Sequence, residues 1–172
     1  MDGELPGPPP APRRSPSAWP RGWLSFESYL LVHDQRLDAL YREGLLESDD
    51  LVFERQGDRQ SPIQIKLSAD LIQCRSGVRA RVLKWMAVRD GLSGIEVLTV
   101  FYQYQAWRVA ESGPSAPLVR YDQAHGRMHV HRFDAVAGEY VEDLDIDHIP
   151  RLDDFLREAV DIADAFDARV TP

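Results

Sequence analysis

Between Ile63 and Val109 three β-patterned runs follow one another with almost no chain between them. Ile63 to Arg75 alternates as a strand, with a bulge expected at Ser68-Ala69-Asp70, and Ser76-Gly77 is a hairpin turn signal. Val78, Ala80, Val82 and Val88 then alternate with Arg79, Arg81 and Arg89 around a less regular centre at Lys84 to Met86. That is an apolar-in, charged-out pattern. Asp90-Gly91 and Ser93-Gly94 supply the next turn, and Ile95 to Val109 is rich in β-branched and aromatic residues. Parallel neighbours need long crossover connections, so turns this short force an antiparallel meander.

The flanks complete the class. Leu51 to Arg55 reads as a short strand before the meander; Leu118 to Asp122 and Met128 to Asp134 read as strands after the loop Glu111 to Pro117. At the N-terminal side Ser25 is an N-cap and Glu27 suits the first turn, where negative charge meets the helix dipole. Phe26, Leu30, His33, Leu37, Leu40 and Tyr41 then recur at helical spacing until Gly44, a natural stop. This predicts a helix from Ser25 to Arg42, with His33 a hydrogen-bonded core residue. After Ile149-Pro150, Leu152, Phe155, Leu156, Ala159, Ile162, Ala163 and Phe166 share one face of a second helix. The expected fold is α+β: an antiparallel meander sheet of about five strands with an N-terminal and a C-terminal helix packed on one face, the other face open.

At 172 residues the chain has room for one such domain, assigned to residues 23–170. Residues 1–22 read as a disordered Pro-rich tail, since Met1 to Pro20 holds seven of the twelve prolines and little that could be buried. No apolar run is long enough to cross a bilayer, and the start of the chain lacks the apolar segment of a signal peptide. The single cysteine, Cys74, excludes an internal disulfide and fits a cytoplasmic setting, with a structural role in its strand.

The net charge of −8 is unevenly placed. Glu139 to Arg169 carries eleven acids and three bases, while the rest of the chain carries seventeen of each. Such a segment reads as a solvated acidic helix, or else as a surface for a basic partner. No Gly-rich phosphate loop, CxxC pair or nucleophile elbow is present, and no cofactor is expected. Phe101, Tyr102, Tyr104 and Trp107 read as a core strand, or as a base-stacking platform in which Tyr102 and Tyr104 would be the exposed members.

Chemistry concentrates between Arg120 and Asp134, which holds three of the five histidines, three arginines, two aspartates and Tyr121. On a strand, side chains two apart share a face, so His129 and His131 point one way while Met128, Val130 and Arg132 point the other. With His125 in the turn beside Gly126, the hairpin gathers Asp122, His125, His129 and His131. Three chemistries suit that group. Two histidines with His125 or Asp122 would give a metal three ligands and an open position. A histidine pair would take a proton from an RNA 2′-hydroxyl and return one to the leaving oxygen, with Arg120, Arg127 or Arg132 on the phosphate. The same arginines with Tyr121 would bind phosphate without chemistry. The plainest alternative is a polar hairpin whose histidines pair with Asp122 and Asp134.

Leu118-Val119-Arg120-Tyr121-Asp122-Gln123-Ala124-His125-Gly126, then His129-Val130-His131-Arg132-Phe133 and a closing acidic amphipathic helix, resembles the TumE-type toxin family and its uncharacterised relatives. Those are small α+β proteins with a Tyr-Asp-x-x-x-Gly element, a His-x-His strand and a C-terminal helix. The resemblance covers roughly Leu71 to Phe166, its distinctive part about fifteen residues. It implies a toxin of a bacterial toxin–antitoxin pair acting on RNA, with Tyr121, Asp122, Gly126, His129 and His131 carried over. The N-terminal helix and Pro-rich tail depart from that pattern.

Two readings follow, with a metal-dependent hydrolase as a third that needs His125 or Asp122 within ligand distance of the other two histidines. The first is a metal-independent endoribonuclease toxin in which His129, His131, His125 and Asp122 are catalytic and Arg120, Arg132 and Tyr121 hold RNA phosphate. The second is a non-catalytic interaction module presenting its acidic C-terminal helix or open sheet face. The partners left open are a cognate helix-turn-helix antitoxin, RNA and further copies of the chain; no membrane is expected.

Overall fold

The computed structural model describes residues 22–110, 113–124, 127–134, 138–144 and 149–170. The Pro-rich tail up to Arg21, and with it His125, Gly126 and His148, lies outside the described residues. In chain order the elements are β1 (Leu24–Ser25), α1 (Phe26–Arg42), β2 (Leu46–Ser48), β3 (Val52–Gln56), β4 (Gln64–Cys74), β5 (Val78–Gly91), β6 (Gly94–Arg108), β7 (Ala116–Ala124), β8 (Arg127–Asp134), β9 (Gly138–Leu144) and α2 (Leu152–Val170).

All strands join one antiparallel sheet in the order β2-β4-β5-β6-β7-β8-β9, with β1 added to β6 and β3 to β4. The class is α+β as expected, but the described sheet has nine strands where the sequence suggested about five. β1 and β2 span two and three residues, too few to show an alternation. β9 was masked by charge: Glu139, Glu142 and Asp143 made it read as an acidic connection. An edge strand tolerates such residues because one of its sides is left to solvent, where charge also discourages pairing with another chain.

Local chemistry fixes the framework. The Ser25 hydroxyl accepts a hydrogen bond from Ser28 N at 3.3 Å, capping α1. At its other end Gly44 takes φ +66°, Gly44 N donates to Tyr41 O and Leu45 N to Leu40 O, both at 3.0 Å. That paired closure of a helix needs a left-handed residue. Ser76 and Gly77 both have positive φ, 62° and 68°, the backbone of the tight turn that matches strand twist between β4 and β5. The bulge in β4 falls at Asp70-Leu71, at the end of the expected Ser68-Ala69-Asp70 stretch, and Asp50 carboxylate oxygens accept from the Asp70 and Leu71 amides it leaves unpaired.

Both helices pack on one face of the sheet. Lys84 and Tyr102 are cross-strand partners, and each alternate residue around them is buried: Val82, Tyr104, Tyr121 and Val130. α2 sets Phe155 against Tyr104 and Tyr121, with ring centroids 5.4 and 6.0 Å apart, and buries Leu156 and Ala159 beside it. α1 brings Tyr29 and His33 against Phe53 over a second cluster of Ile65, Leu67, Met86 and Val97. Tyr102 and Tyr104 are therefore core residues, not exposed members of a stacking platform; strand parity puts them under the helices.

The acids of α2 are mostly engaged. Asp153 pairs with Arg36 of α1, Glu158 with Arg132 of β8, Asp164 with Arg75, and Asp167 with Arg108. Arg157 closes the set with Glu43. Arginines of α1, β6, β8 and the β4–β5 turn thus tie down much of the negative helix, while Asp164 and Asp167 stay half-exposed to solvent.

Candidate functional site

Among the described residues no helix covers the sheet face that carries the histidines. That face presents, among the same residues, Lys66 from β4; Arg79, Arg81, Leu83 and Trp85 from β5; Phe101, Gln103 and Gln105 from β6; Arg120 and Asp122 from β7; and His129 and His131 from β8. Register places Asp122 directly opposite His129 and Arg120 directly opposite His131. Four polar side chains thus converge from two adjacent strands, held by the ladder itself rather than by a loop.

Distances within the group are short. The His129 and His131 rings lie 4.8 Å apart, centroid to centroid, at 62°. Asp122 Oδ1 is 2.6 Å from His129 Nε2, and Asp122 Oδ2 is 2.8 Å from Arg120 Nε. Arg120 Nη2 is 3.0 Å from His131 Nε2, and His131 Nδ1 is 2.5 Å from Glu139 Oε1 on β9. A guanidinium only donates. His131 Nε2 must therefore accept from Arg120, which leaves the ring proton on Nδ1, donated to Glu139. The His131 side chain is 12% exposed and that of His129 17%, so the pair sits at the surface without standing clear of it.

Of the residues singled out from sequence, Arg120, Asp122, His129 and His131 are brought together here, and His125 lies outside the described residues. Tyr121 and Arg132 are on the other face. Tyr121 is buried and donates from its hydroxyl to Glu158 at 2.6 Å; Arg132 bonds Glu158 at 2.6 Å, Glu142 at 2.7 Å and the Tyr121 oxygen at 3.2 Å. Burial, reinforced by the Glu158 charge, pushes the Tyr121 phenol up. Burial works against the Arg132 cation, but the Glu158 hydrogen bond and charge outweigh it and hold the guanidinium above its ordinary value. Both residues belong to a closed network under α2, turned away from the histidines.

Glu139 escaped the sequence reading because it stood in the acidic stretch. The pattern gave little signal: in Gly138-Glu139-Tyr140-Val141-Glu142 the two apolar residues are adjacent instead of alternating, and only the glycine, at φ +78°, marks a turn. Trp85 was also missed. It lies opposite Phe101 on the open face, in the part of β5 where the alternation looked irregular because a charged residue, Lys84, faces the core while Leu83 and Trp85 face outward.

No protein-family model, curated protein or solved structure matches this chain.

Proposed function

We propose that this chain acts on RNA at the His129–His131 hairpin, as the toxin of a TumE-type bacterial toxin–antitoxin pair. The observation that carries the reading is the pairing of two imidazoles 4.8 Å apart on an uncovered sheet face, each against a carboxylate and with Arg120 touching the group. Cleavage needs no metal in this scheme. His131 Nε2, whose lone pair faces Arg120, takes the proton of a 2′-hydroxyl as that oxygen attacks phosphorus. His129, in its protonated form beside Asp122, returns a proton to the departing 5′-oxygen as its bond to phosphorus breaks. The products are a 2′,3′-cyclic phosphate and a 5′-hydroxyl end. Arg120 shifts from His131 to the phosphate, which frees the base and offsets the charge that develops on the non-bridging oxygens.

The rest of the open face supports a single-stranded substrate. Trp85 and Phe101 offer ring surface at half burial, and Gln103, Gln105, Arg79 and Arg81 are exposed around them. Aromatic rings flanked by amides and guanidinia stack bases and hold phosphates without selecting a sequence.

A second reading, a non-catalytic interaction module, is favoured by one observation: both histidines are mostly covered and already engaged with protein groups. Induced expression in a bacterial host separates the two. Wild type should arrest growth and the His129→Ala/His131→Ala variant, confirmed folded, should not, with cut RNA recovered only from the arrested cells. Arrest by both would sink the histidine chemistry; arrest by neither would favour the module.

A further inference from the structure

We infer that Asp122, His129 and His131 form a binding site for a divalent transition-metal ion of the zinc class, and that its occupancy withdraws both imidazoles from proton transfer. The regulatory half of this inference rests on the ribonuclease reading above; the site itself does not.

Geometry comes first. One ligand atom from each residue lies within 4.8 Å of the other two, and the register that opposes Asp122 to His129 fixes that spacing in the sheet. Two imidazole nitrogens and one carboxylate oxygen suit zinc or cobalt and fall short of the oxygen-only shell that magnesium or calcium requires.

Two atoms at the centre are held in ion-pair contact without hydrogen-bond alignment. Asp122 Oδ1 is buried and makes no hydrogen bond, although His129 Nε2 is only 2.6 Å away; Arg120 Nε, 2.8 Å from Asp122 Oδ2, is buried and also lacks an aligned partner. Buried polar atoms ordinarily find such a partner. Bond lengths of about 2.0–2.1 Å to a tetrahedral ion put its oxygen and nitrogen ligands roughly 3.3 Å apart, so Asp122 Oδ1 and His129 Nε2 must draw apart slightly as the ion enters.

A cation already bridges two of the three ligands. The Arg120 guanidinium contacts Asp122 through Nε and His131 through Nη2, so this spot favours positive charge and His131 turns the Nε2 lone pair into it. The Nδ1 proton of His131 goes to Glu139, the outer carboxylate that orients metal-bound histidines generally. Entry of a metal ion requires Arg120 to leave. With the ion bound, the His131 Nε2 lone pair is no longer free to accept a proton, and His129 Nε2 holds the ion in place of the extra proton that its imidazolium would carry.

The test uses the full chain, stripped of metal, titrated with Co²⁺ and read by its visible d–d absorption, with Zn²⁺ as the competitor. Wild type should take up one Co²⁺, released by Zn²⁺. The His129→Ala/His131→Ala variant and, separately, the near-isosteric Asp122→Asn should lose it, with circular dichroism confirming that each is folded. Arg120→Gln should bind roughly tenfold tighter, because it removes the competing charge. Absence of uptake by both wild type and Arg120→Gln overturns the site, as does uptake that survives in the double variant. Cleavage of a single-stranded RNA is then followed with and without saturating Zn²⁺. Suppression by Zn²⁺ supports the regulatory half, and undiminished cleavage overturns it. A chain that binds Co²⁺ normally and cuts no RNA under either condition retains the metal site and loses the ribonuclease reading.

Discussion

Tyr121 and Asp122 are neighbours in the chain and serve opposite faces of the sheet. The Tyr121 hydroxyl donates to Glu158 beneath α2, whereas Asp122 faces His129 and Arg120 on the open side. A one-residue slip of β7 would exchange them, placing a carboxylate in the core and a phenol in the site. Register is therefore held from both faces at once.

Replacing Asp122 by asparagine removes the negative charge between Arg120 and His129 and leaves a partly buried guanidinium without its carboxylate. The expected loss of stability is about 1–3 kcal/mol, read by urea unfolding. A stability equal to wild type would mean that the Arg120–Asp122 contact contributes nothing to the folded state.

The network of Arg132, Glu158, Tyr121 and Glu142 makes a second prediction. Arg132→Met alone strands Glu158, whose side chain is 11% exposed, and should cost about 3–5 kcal/mol. Adding Glu158→Leu should recover part of that loss, since the two changes together leave no unpaired charge between β8 and α2. Additive losses in a double-mutant cycle would contradict the coupling.

Two buried bases make stability depend on pH. Burial lowers His33 to about 4, with nearby Lys84 adding to the effect, and burial lowers Lys84 to about 7. In each case the unfolded chain binds the proton more readily than the folded one, so stability rises with pH between the two pKa values. The His33 contribution is full above its unfolded value near 6.5 and is lost as pH falls toward 4. Lys84 adds a further rise from about 7 toward 10.5. Urea midpoints across this range should climb in two stages, and Lys84→Met should abolish the upper one and shrink the lower, since the Lys84 charge adds to the His33 shift.

Cys74 is 2% exposed, and burial pushes its thiol up to about 12. Thiolate is the reactive form, so labelling by a neutral disulfide reagent in the native state should be slow and should accelerate through the same denaturant midpoint as loss of circular dichroism. Rapid labelling without denaturant would show that the end of β4 opens locally.

How much of this was legible in the sequence depends on what each pattern encodes. α1 and its ends were plain because Ser25, Glu27 and Gly44 each perform a distinct backbone task. The three long strands and their turns were plain because alternation extends over many residues. Strand parity likewise separated His129 and His131 from Val130 and Arg132, and the ladder bears that division out. Contacts across strands far apart in the chain were not legible, because periodicity says nothing of which residue stands opposite. Glu139 against His131 and Glu158 against Arg132 are of that kind. Tyr102 and Tyr104 show the converse limit. Their shared face was readable, but which side the helices would cover was not, since both faces of β6 carry aromatic residues.

β9 is short and lies at the margin of the sheet, with Glu139 on one face holding His131 and Glu142 on the other holding Arg132. Peeling this ribbon from β8 would release one anchor above the sheet and one below in a single movement. One marginal ribbon thus ties β8 from both faces, and its loss would free His131 Nδ1 on one side and Arg132 Nη1 on the other at once.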